Sequence, residues 1–361
     1  MEIKFLMEQN HLHINELKYD AKRILEELIV GKPAWKIKGL EFLIQLLDPS
    51  EIPVKFNTSG TTGSPKEINF SKKQIWKSAK NTCEFFEINS GTQLLLCLPA
   101  DFVAGRMMIA RALFAGAHLN WLEPSLNPLK NISNIDFAAF TPAQVATIIA
   151  DAGTKKVFEK IGKIIIGGGE ISNELEKKLA CHPCEGRDSN DIFATYGMTE
   201  TLTHVAVRKI GDSTFHSIYK EAVFSIDENN CLNIDLPFIT REKIKTKDVV
   251  ELIDEKSFIW KGRLDNVINS GGIKIYAEEL EKKLLIACLL KEGSFYISAQ
   301  QDNIFGQVPV IVMLKELNPV DMAVLLPKIN RLLNKHEVVK HVVFLDKFEC
   351  TETGKIKRST F

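Results

Sequence analysis

Thr58-Ser59-Gly60-Thr61-Thr62-Gly63-Ser64-Pro65-Lys66 is the stretch on which the reading of this 361-residue chain turns. It stands between the apolar pair Val54 and Phe56 and the alternating pair Ile68 and Phe70, so the pattern predicts a turn joining two short strands. Gly60 and Gly63 let the backbone come close to an anion, the hydroxyls and amides donate hydrogen bonds, and Lys66 adds a full positive charge. The spacing differs from a Walker loop, which needs Gly-x-x-x-x-Gly-Lys-Ser/Thr, whereas Lys66 follows Gly63 by three. A generic loop of this composition would be a solvated hairpin turn. The glycines, hydroxyls and lysine together fit an anion.

Downstream of the loop, Ser71-Lys72-Lys73-Gln74 reads as a capping box, opening a helix whose apolar positions Ile75, Ala79, Cys83 and Phe86 recur at helical spacing. Leu94 to Leu98 then reads as a buried strand, followed by a loop with Asp101, Phe102 and Gly105-Arg106 and a helix from Met107 to Phe114. The alternation continues with strands at 117–121, 137–140, 163–166 and 191–194 and helices at 142–150 and 173–180. Such alternation predicts an α/β fold with a doubly wound, mostly parallel sheet whose sites lie at the carboxyl ends of strands. Upstream, 15–29 and 34–47 both carry helical periodicity, with Leu17, Ala21, Ile24, Leu25 and Leu28 on one face of the first.

Beyond Tyr196 the texture changes. Strands at 204–208, 221–227, 231–236, 249–253 and 258–261, two of them joined by Asp227-Glu228-Asn229-Asn230, predict an antiparallel or distorted-barrel part. After Gly262 a small α+β unit follows, with helices at 278–285 and 320–333 and strands at 295–299, 307–314 and 338–345. The expected division is a large N-terminal domain, 1–263, and a small mobile C-terminal domain, 264–361.

Lys+Arg and Asp+Glu both number 46, so no global field favours nucleic acid or a membrane, and small-molecule partners are expected. No run approaches the ~18 apolar residues of a spanning helix. Seven cysteines, an odd number scattered along the chain, read as free thiols in a reducing, cytoplasmic setting. Cys181-His182-Pro183-Cys184 is a lone Cys-x-x-Cys with no second pair, which fits a helix end better than a zinc or redox site. A homo-oligomer is left open.

The loop Thr58, Ser59, Gly60, Thr61, Thr62, Gly63 and Lys66 resembles the phosphate loop of the adenylate-forming enzymes, the acyl-CoA synthetase and luciferase superfamily, and further blocks follow in that superfamily's order. Ile164-Ile165-Ile166-Gly167-Gly168-Gly169-Glu170 fits a structural turn as well as a nucleotide site on its own; the resemblance implies that Gly168, Gly169 and Glu170 line an adenine pocket. Ala194-Thr195-Tyr196-Gly197-Met198-Thr199-Glu200-Thr201 looks like the second signature, implying that Tyr196 stacks on adenine, that Gly197 and Thr199 border the α-phosphate, and that Glu200 holds Mg²⁺ on ATP. A rigid aromatic face, a hydroxyl and a hard oxygen ligand suit those tasks.

Asp248 and Arg263 match the pair that holds ribose hydroxyls, Asp265 the hinge position, and Gly271, Gly272 and Lys274 the loop beside the pantetheine tunnel of coenzyme A. Lys355 in Thr353-Gly354-Lys355-Ile356-Lys357-Arg358 matches the lysine of the adenylation step, with Lys66, Thr199 and Glu200 as the other catalytic candidates. Taken alone, it would read as a basic tail. Only 57 residues precede the phosphate loop, fewer than in typical members, which implies a reduced N-terminal subdomain. Asp248 follows Thr246-Lys247 rather than Thr-Gly, and the proline that often precedes the terminal Gly-Lys is replaced by Glu349-Cys350-Thr351-Glu352.

Within the superfamily, the stretch Leu98 to Arg106 followed by Arg111 resembles the substrate block of the o-succinylbenzoate–CoA ligases, the menaquinone-pathway branch. The resemblance implies ATP, Mg²⁺ and coenzyme A as partners and an acyl-adenylate intermediate. A dicarboxylate leaves one carboxylate to be anchored, and arginine binds carboxylate as a fork. Phe102, Arg106 and Arg111 are the candidates. The two arginines are five apart and diverge on a helix, so one is expected to face the substrate, Arg111 by its position. Another aryl- or acyl-CoA ligase, an amino-acid-adenylating enzyme and a non-catalytic nucleotide-binding module are the competing readings.

Overall fold

The structure is a computed structural model describing residues 12–15, 17–19, 21–31, 33–57, 67–180, 191–287, 289–315, 322–349, 356–359 and 361. The chain forms two compact units. The first comprises Met1–Ile171, Leu175–Ala222 and Asp235–Ile244, and the second Ser172–Glu174, Val223–Ile234 and Lys245–Phe361.

The first unit is built on five parallel strands: Gln93–Leu96, His118–Trp121, Phe137–Phe140, Lys163–Ile166 and Asp191–Gly197. Numbered by sequence, their spatial order is 2-1-3-4-5. The order reverses between Gln93–Leu96 and Phe137–Phe140, which puts the expected ligand crevice at the carboxyl ends of those strands. Their apolar runs are buried on both faces, as parallel strands covered by helices must be. Leu95, Ala138, Phe140, Val145, Ile148, Ile164, Ile166 and Leu175 share one core beneath the helices Pro142–Ala150, Ala152–Phe158 and Asn173–Ala180. Two antiparallel strands, His204–Lys209 and Thr214–Ser217, extend the sheet beyond Asp191–Gly197.

The anticipated turn between 54–57 and 67–70 is framed as expected, since Val54–Asn57 pairs antiparallel with Glu67–Phe70. The next helix, Lys72–Phe86, carries the anticipated capping box, with Ser71 and Gln74 satisfying each other's backbone amides.

One element departs from its periodicity. Residues 15–19 do not open a helix: Leu12–Ile14 and Leu17–Tyr19 form a hairpin, and the helix is Ala21–Val30. Asn15, at φ +48°, makes the turn, and its side chain bonds both the amide and the carbonyl of Trp121. Leu12–Ile14 runs parallel to His118–Trp121, so an open sheet edge overrides the local helical pattern. The second predicted helix begins as a 3₁₀ turn, Ala34–Lys36, and continues as Ile37–Leu47.

The second unit carries an antiparallel set in the order Val223–Ile226, Cys231–Asp235, Ile244–Asp254, Ser257–Arg263. The turn at Asp227-Asn230 is held by the Asp227 carboxylate, which accepts from the amides of Asn229 and Cys231. A second sheet runs Ile273–Tyr276, Val267–Ser270, Gly306–Leu314, Phe295–Asp302, with His341–Leu345 parallel to Gly306–Leu314. The helices Ala277–Ile286 and Met322–Leu332 bury Leu280, Leu284, Leu325 and Ile329 against it. The expected division into 1–263 and 264–361 remains a proposal; by compactness, Val223–Ile234 and Lys245–Phe361 fall in one unit. Among the described residues, no helix is long and apolar enough to cross a membrane.

Candidate active site

Three loops leave the carboxyl ends of the first unit's parallel strands with chemistry attached. After Lys163–Ile166 comes Gly167-Gly168-Gly169. Gly168 sits at φ +80°, a conformation that glycine adopts without strain. Gly167 is constrained by space instead, because a Cβ there would lie 2.4 Å from the Thr195 hydroxyl, which itself donates to the Ile166 carbonyl at 3.1 Å. The glycine run and the Tyr196 segment therefore leave the sheet side by side.

Asp191–Gly197 ends in the short turn Thr199–Thr201. Thr201 is the knot of this turn: its hydroxyl accepts from the Met198 amide at 3.0 Å and donates to the Thr203 carbonyl at 2.7 Å. Leu202 stands at φ +64°, uncommon for a branched apolar residue, and a Cβ on Gly197 would collide with the Thr203 carbonyl at 2.4 Å. Folded back this way, the segment leaves Glu200 exposed while Tyr196 is half-buried, its ring edge-on to Phe215 at 5.9 Å. An exposed carboxylate can share a magnesium ion with phosphate oxygens, the usual arrangement for that ion. Among the described residues there is no cluster of three or more metal-type ligands.

The substrate block forms the helix Val103–Ala115, begun by Phe102, which is 56% exposed. Gly105 lets this helix lie against the preceding loop, since a Cβ would meet the Pro99 carbonyl oxygen at 2.4 Å. The two arginines diverge as expected. Arg106 donates to the backbone carbonyls of Ala100 (2.9 Å) and Lys55 (2.6 Å), with its guanidinium over the rings of Phe42 and Phe56. It braces the strand Val54–Asn57.

Arg111 is fully buried, 2% exposed, in the core of the first unit. Its guanidinium donates to the Thr203 hydroxyl at 3.0 Å and approaches the Met108 sulfur at 3.4 Å, while its Nε has no partner. Among the described residues no carboxylate pairs with it. Burial pulls its pKa down to about 10, a fall that neighbouring Tyr219 and Cys83 oppose, so it stays charged at neutral pH. Around it stand neutral polar groups: Tyr219, whose hydroxyl is 3.1 Å from that of Ser78; Thr82; and His204, 3.4 Å from the Thr203 hydroxyl and 3.5 Å from that of Thr82. Burial, then the Arg111 charge, holds the His204 pKa far below its usual range, so the imidazole is neutral. Burial pushes the Tyr219 hydroxyl up to about 12.

None of Ser78, Thr82, Thr203, His204 and Tyr219 stood out in the sequence. The signal that existed was weak: Thr203-His204 follows the Tyr-Gly-Met-Thr-Glu block with two residues between.

In the second unit, Asp248 and Arg263 face each other across the pair Ile244–Asp254 and Ser257–Arg263. Asp248 is buried, and one of its oxygens accepts from Arg263 at 3.1 Å and from the Trp260 indole at 3.3 Å. Trp260 is a further residue that sequence reasoning missed; its place in the strand two residues before Gly262 was the available clue. Asp265 lies in the 3₁₀ turn Leu264–Asn266 and pairs with exposed Lys247 at 2.9 Å. Gly271 and Gly272, at φ +57° and +82°, form a two-residue hairpin between Val267–Ser270 and Ile273–Tyr276 that demands positive φ at both positions. Lys274 is exposed and reaches Asn229 at 3.3 Å.

Thr58, Ser59, Gly60, Thr61, Thr62, Gly63, Lys66 and Lys355 lie outside the described residues, as do Cys181 and Cys184.

A parallel sheet of order 2-1-3-4-5, with a glycine turn and a Tyr-Gly-x-Thr-Glu turn at its carboxyl edge, is a scaffold that suits a nucleotide-using enzyme. The chain belongs to the AMP-binding enzyme family, whose pattern matches residues 7–222. It is 24% identical over 344 residues to the 2-succinylbenzoate–CoA ligase of Listeria monocytogenes, an alignment covering 88% of this chain and 71% of that one. Among solved structures, an acyl-CoA synthetase (AMP-forming)/AMP-acid ligase II-like protein from Dyadobacter fermentans superposes with a TM-score of 0.62 at 28% identity, covering 91% of this chain and 93% of that one. The o-succinylbenzoate CoA synthetase of Bacillus subtilis, solved with its acyl-adenylate intermediate, shares the fold with a TM-score of 0.68 at 19% identity, covering 84% and 67%. A second structure of that synthetase holds ATP and a magnesium ion, at a TM-score of 0.65 and 20% identity, covering 84% and 68%. The chain is an adenylate-forming acid–CoA ligase.

Proposed function

We propose that this ligase activates o-succinylbenzoate. Its carboxylate attacks the α-phosphorus of ATP to give the acyl-adenylate and pyrophosphate, and the coenzyme A thiolate then displaces AMP to give the thioester. The observation that carries the choice of acid is Arg111. A buried guanidinium without a carboxylate partner is costly, and breaking or omitting one half of a buried pair typically costs ~3–5 kcal/mol. A substrate that keeps a second carboxylate after activation supplies the missing anion, and the hydroxyls of Thr203, Thr82 and Tyr219 offer neutral donors around it. An acid with one carboxylate leaves nothing to neutralise Arg111. The names of the relatives agree with this reading.

For ATP, the assignments are Tyr196 on adenine, Gly168 to Glu170 beside it, Asp248 and Arg263 on the ribose, and the 58–66 loop with Lys66 on the phosphates. Glu200 would hold Mg²⁺, which when bound neutralises phosphate charge. Lys355 bridges the attacking carboxylate and the α-phosphate, cancelling charge that repels nucleophile from electrophile. Between the half-reactions the C-terminal residues pivot at Asp265, and Gly271, Gly272 and Lys274 turn toward the pantetheine arm of coenzyme A.

The test is ATP–pyrophosphate exchange across aromatic, aliphatic and amino acids, followed by CoA-dependent AMP release. Exchange should be strongest with o-succinylbenzoate and weak with benzoate. Equal exchange with both would sink the assignment of the acid, and no exchange with any acid would leave a nucleotide-binding module. Lys355→Ala should abolish exchange while nucleotide affinity stays nearly intact.

A further inference from the structure

The C-terminal residues 356–361 would read as a frayed basic tail, yet the described ones are stitched to the second unit. The Phe361 amide donates to the Ala299 carbonyl at 3.0 Å, and the Gln301 amide returns a bond to the Phe361 carbonyl at 2.9 Å. Ser298 donates to the Ser359 carbonyl at 2.6 Å, and the Lys357 amide donates to the Glu349 carbonyl at 2.7 Å. Ile356, Phe361 and Phe348 pack with Tyr296, Val310 and Val312.

Within this stitching, Arg358 makes the specific contact. Its guanidinium grips Glu281 as a fork, one prong to each carboxylate oxygen, the second at 2.9 Å, and it also donates to the Ile297 carbonyl at 2.8 Å. Glu281 in turn accepts from the Ile297 amide at 2.6 Å. Glu278, one helical turn earlier, lies 3.8 Å from the guanidinium and accepts from Asn266 at 2.5 Å, so the same cluster reaches the turn that holds Asp265. All three charged side chains are largely buried, at 18, 17 and 9% exposure for Arg358, Glu281 and Glu278.

Buried ion pairs contribute little net stability against apolar replacements, and their best-attested use is to fix one arrangement among several. A segment held mainly by main-chain bonds needs such a device. Main-chain bonds tolerate slippage, and a slip of two residues keeps the same faces in and out while moving the chain by about 6.6 Å. That is as far as a lysine side chain reaches. We propose that Arg358 and Glu281 are positioning residues for the adenylation step: the fork locks the register of the C-terminal segment, and the presentation of Lys355, three residues earlier in sequence, depends on that register. The inference rests on the proposed role of Lys355. Neither Arg358 nor Glu281 touches the reacting atoms.

The experiment compares Arg358→Met, Arg358→Lys, the double variant Glu281→Met/Arg358→Met, and the exchange Glu281→Arg/Arg358→Glu in the full chain. Exchange of pyrophosphate with ATP is measured beside thioester formation from acyl-adenylate supplied ready-made, with melting temperature as a separate readout. The double apolar variant should recover the stability that Arg358→Met loses, yet its kcat for exchange should stay about 100-fold down, the scale of an ångström-level misplacement. KM for ATP and the thioester step should be unchanged, Arg358→Lys should be intermediate, and the reversed pair should regain part of the rate. If activity simply follows stability, or if both half-reactions fall together, the positioning role is overturned. Wild-type exchange that survives Lys355→Ala would instead overturn the role of that lysine, and an inactive wild type the functional reading itself.

Discussion

Two arginines, Arg111 in the first unit and Arg358 in the second, are both withdrawn from water, and they differ in what answers their charge. Arg358 meets a carboxylate, Glu281, that is buried with it and matched to its fork. Among the described residues, Arg111 meets hydroxyls, an imidazole held neutral and a thioether, and its Nε has no hydrogen-bond partner. A charge completed by the chain serves the chain's own geometry, whereas a charge left incomplete points to a partner from outside. The depressed His204 pKa belongs to the same contrast, because a protonated imidazole beside Arg111 would add a second unanswered cation.

The largest expected effect separates the two arginines by stability. Arg358→Met strands Glu281 in the interior and should cost about 3–5 kcal/mol, read as a fall in melting temperature, whereas Arg111→Met removes an unanswered charge and should leave stability unchanged or raise it. Matching losses from both variants would erase the comparison. Next in size, Arg111→Met should raise KM for o-succinylbenzoate about 100-fold, some 2.7 kcal/mol, while KM for ATP stays constant. Parallel changes in both constants would make Arg111 a packing residue.

The third effect is a pH slope. His204 is neutral when folded and has an ordinary pKa near 6.5 when unfolded, so the unfolded state binds the extra proton as pH falls. Its contribution is complete above pH 6.5 and is lost on acidification below that value, by up to about 1.4 kcal/mol per pH unit. His204→Gln should flatten this slope in urea titrations at pH 5 and 7; an unaltered slope would place the titration elsewhere. Smallest, Thr203→Val removes the one hydroxyl that accepts from Arg111 and should cost about 1–2 kcal/mol in the free protein. Saturating o-succinylbenzoate should reduce that cost.

How much of this was legible beforehand depends on how local the cause is. The runs at Phe137–Phe140, Lys163–Ile166 and Pro142–Ala150 were readable to the residue, because buried parallel strands and capped helices write their constraints into contiguous positions. Residues 15–19 were misread as helix because Leu17 fits a helical face, while the deciding partner, the edge His118–Trp121, stands a hundred positions away. The polar cluster around Arg111 escaped for a related reason. Its members come from the helices Lys72–Phe86 and Val103–Ala115 and from the stretch between Thr203 and Tyr219, and no spacing rule links them. Arg111 itself was singled out through resemblance; its burial without a counterion needed coordinates. Trp260 was overlooked because a tryptophan in a strand ordinarily reads as packing.

The tight apposition of Gly197 to Thr203 and His204 has a bearing on how such an enzyme changes its diet. Thr203 and the start of the strand His204–Lys209 are packed against the turn assigned to ATP, so, on the proposed reading, remodelling the acid's surroundings from that side disturbs nucleotide handling as well. Ser78 and Thr82 lie on the helix Lys72–Phe86, apart from that turn, and a lineage or a designer seeking a new acid has room to move there first.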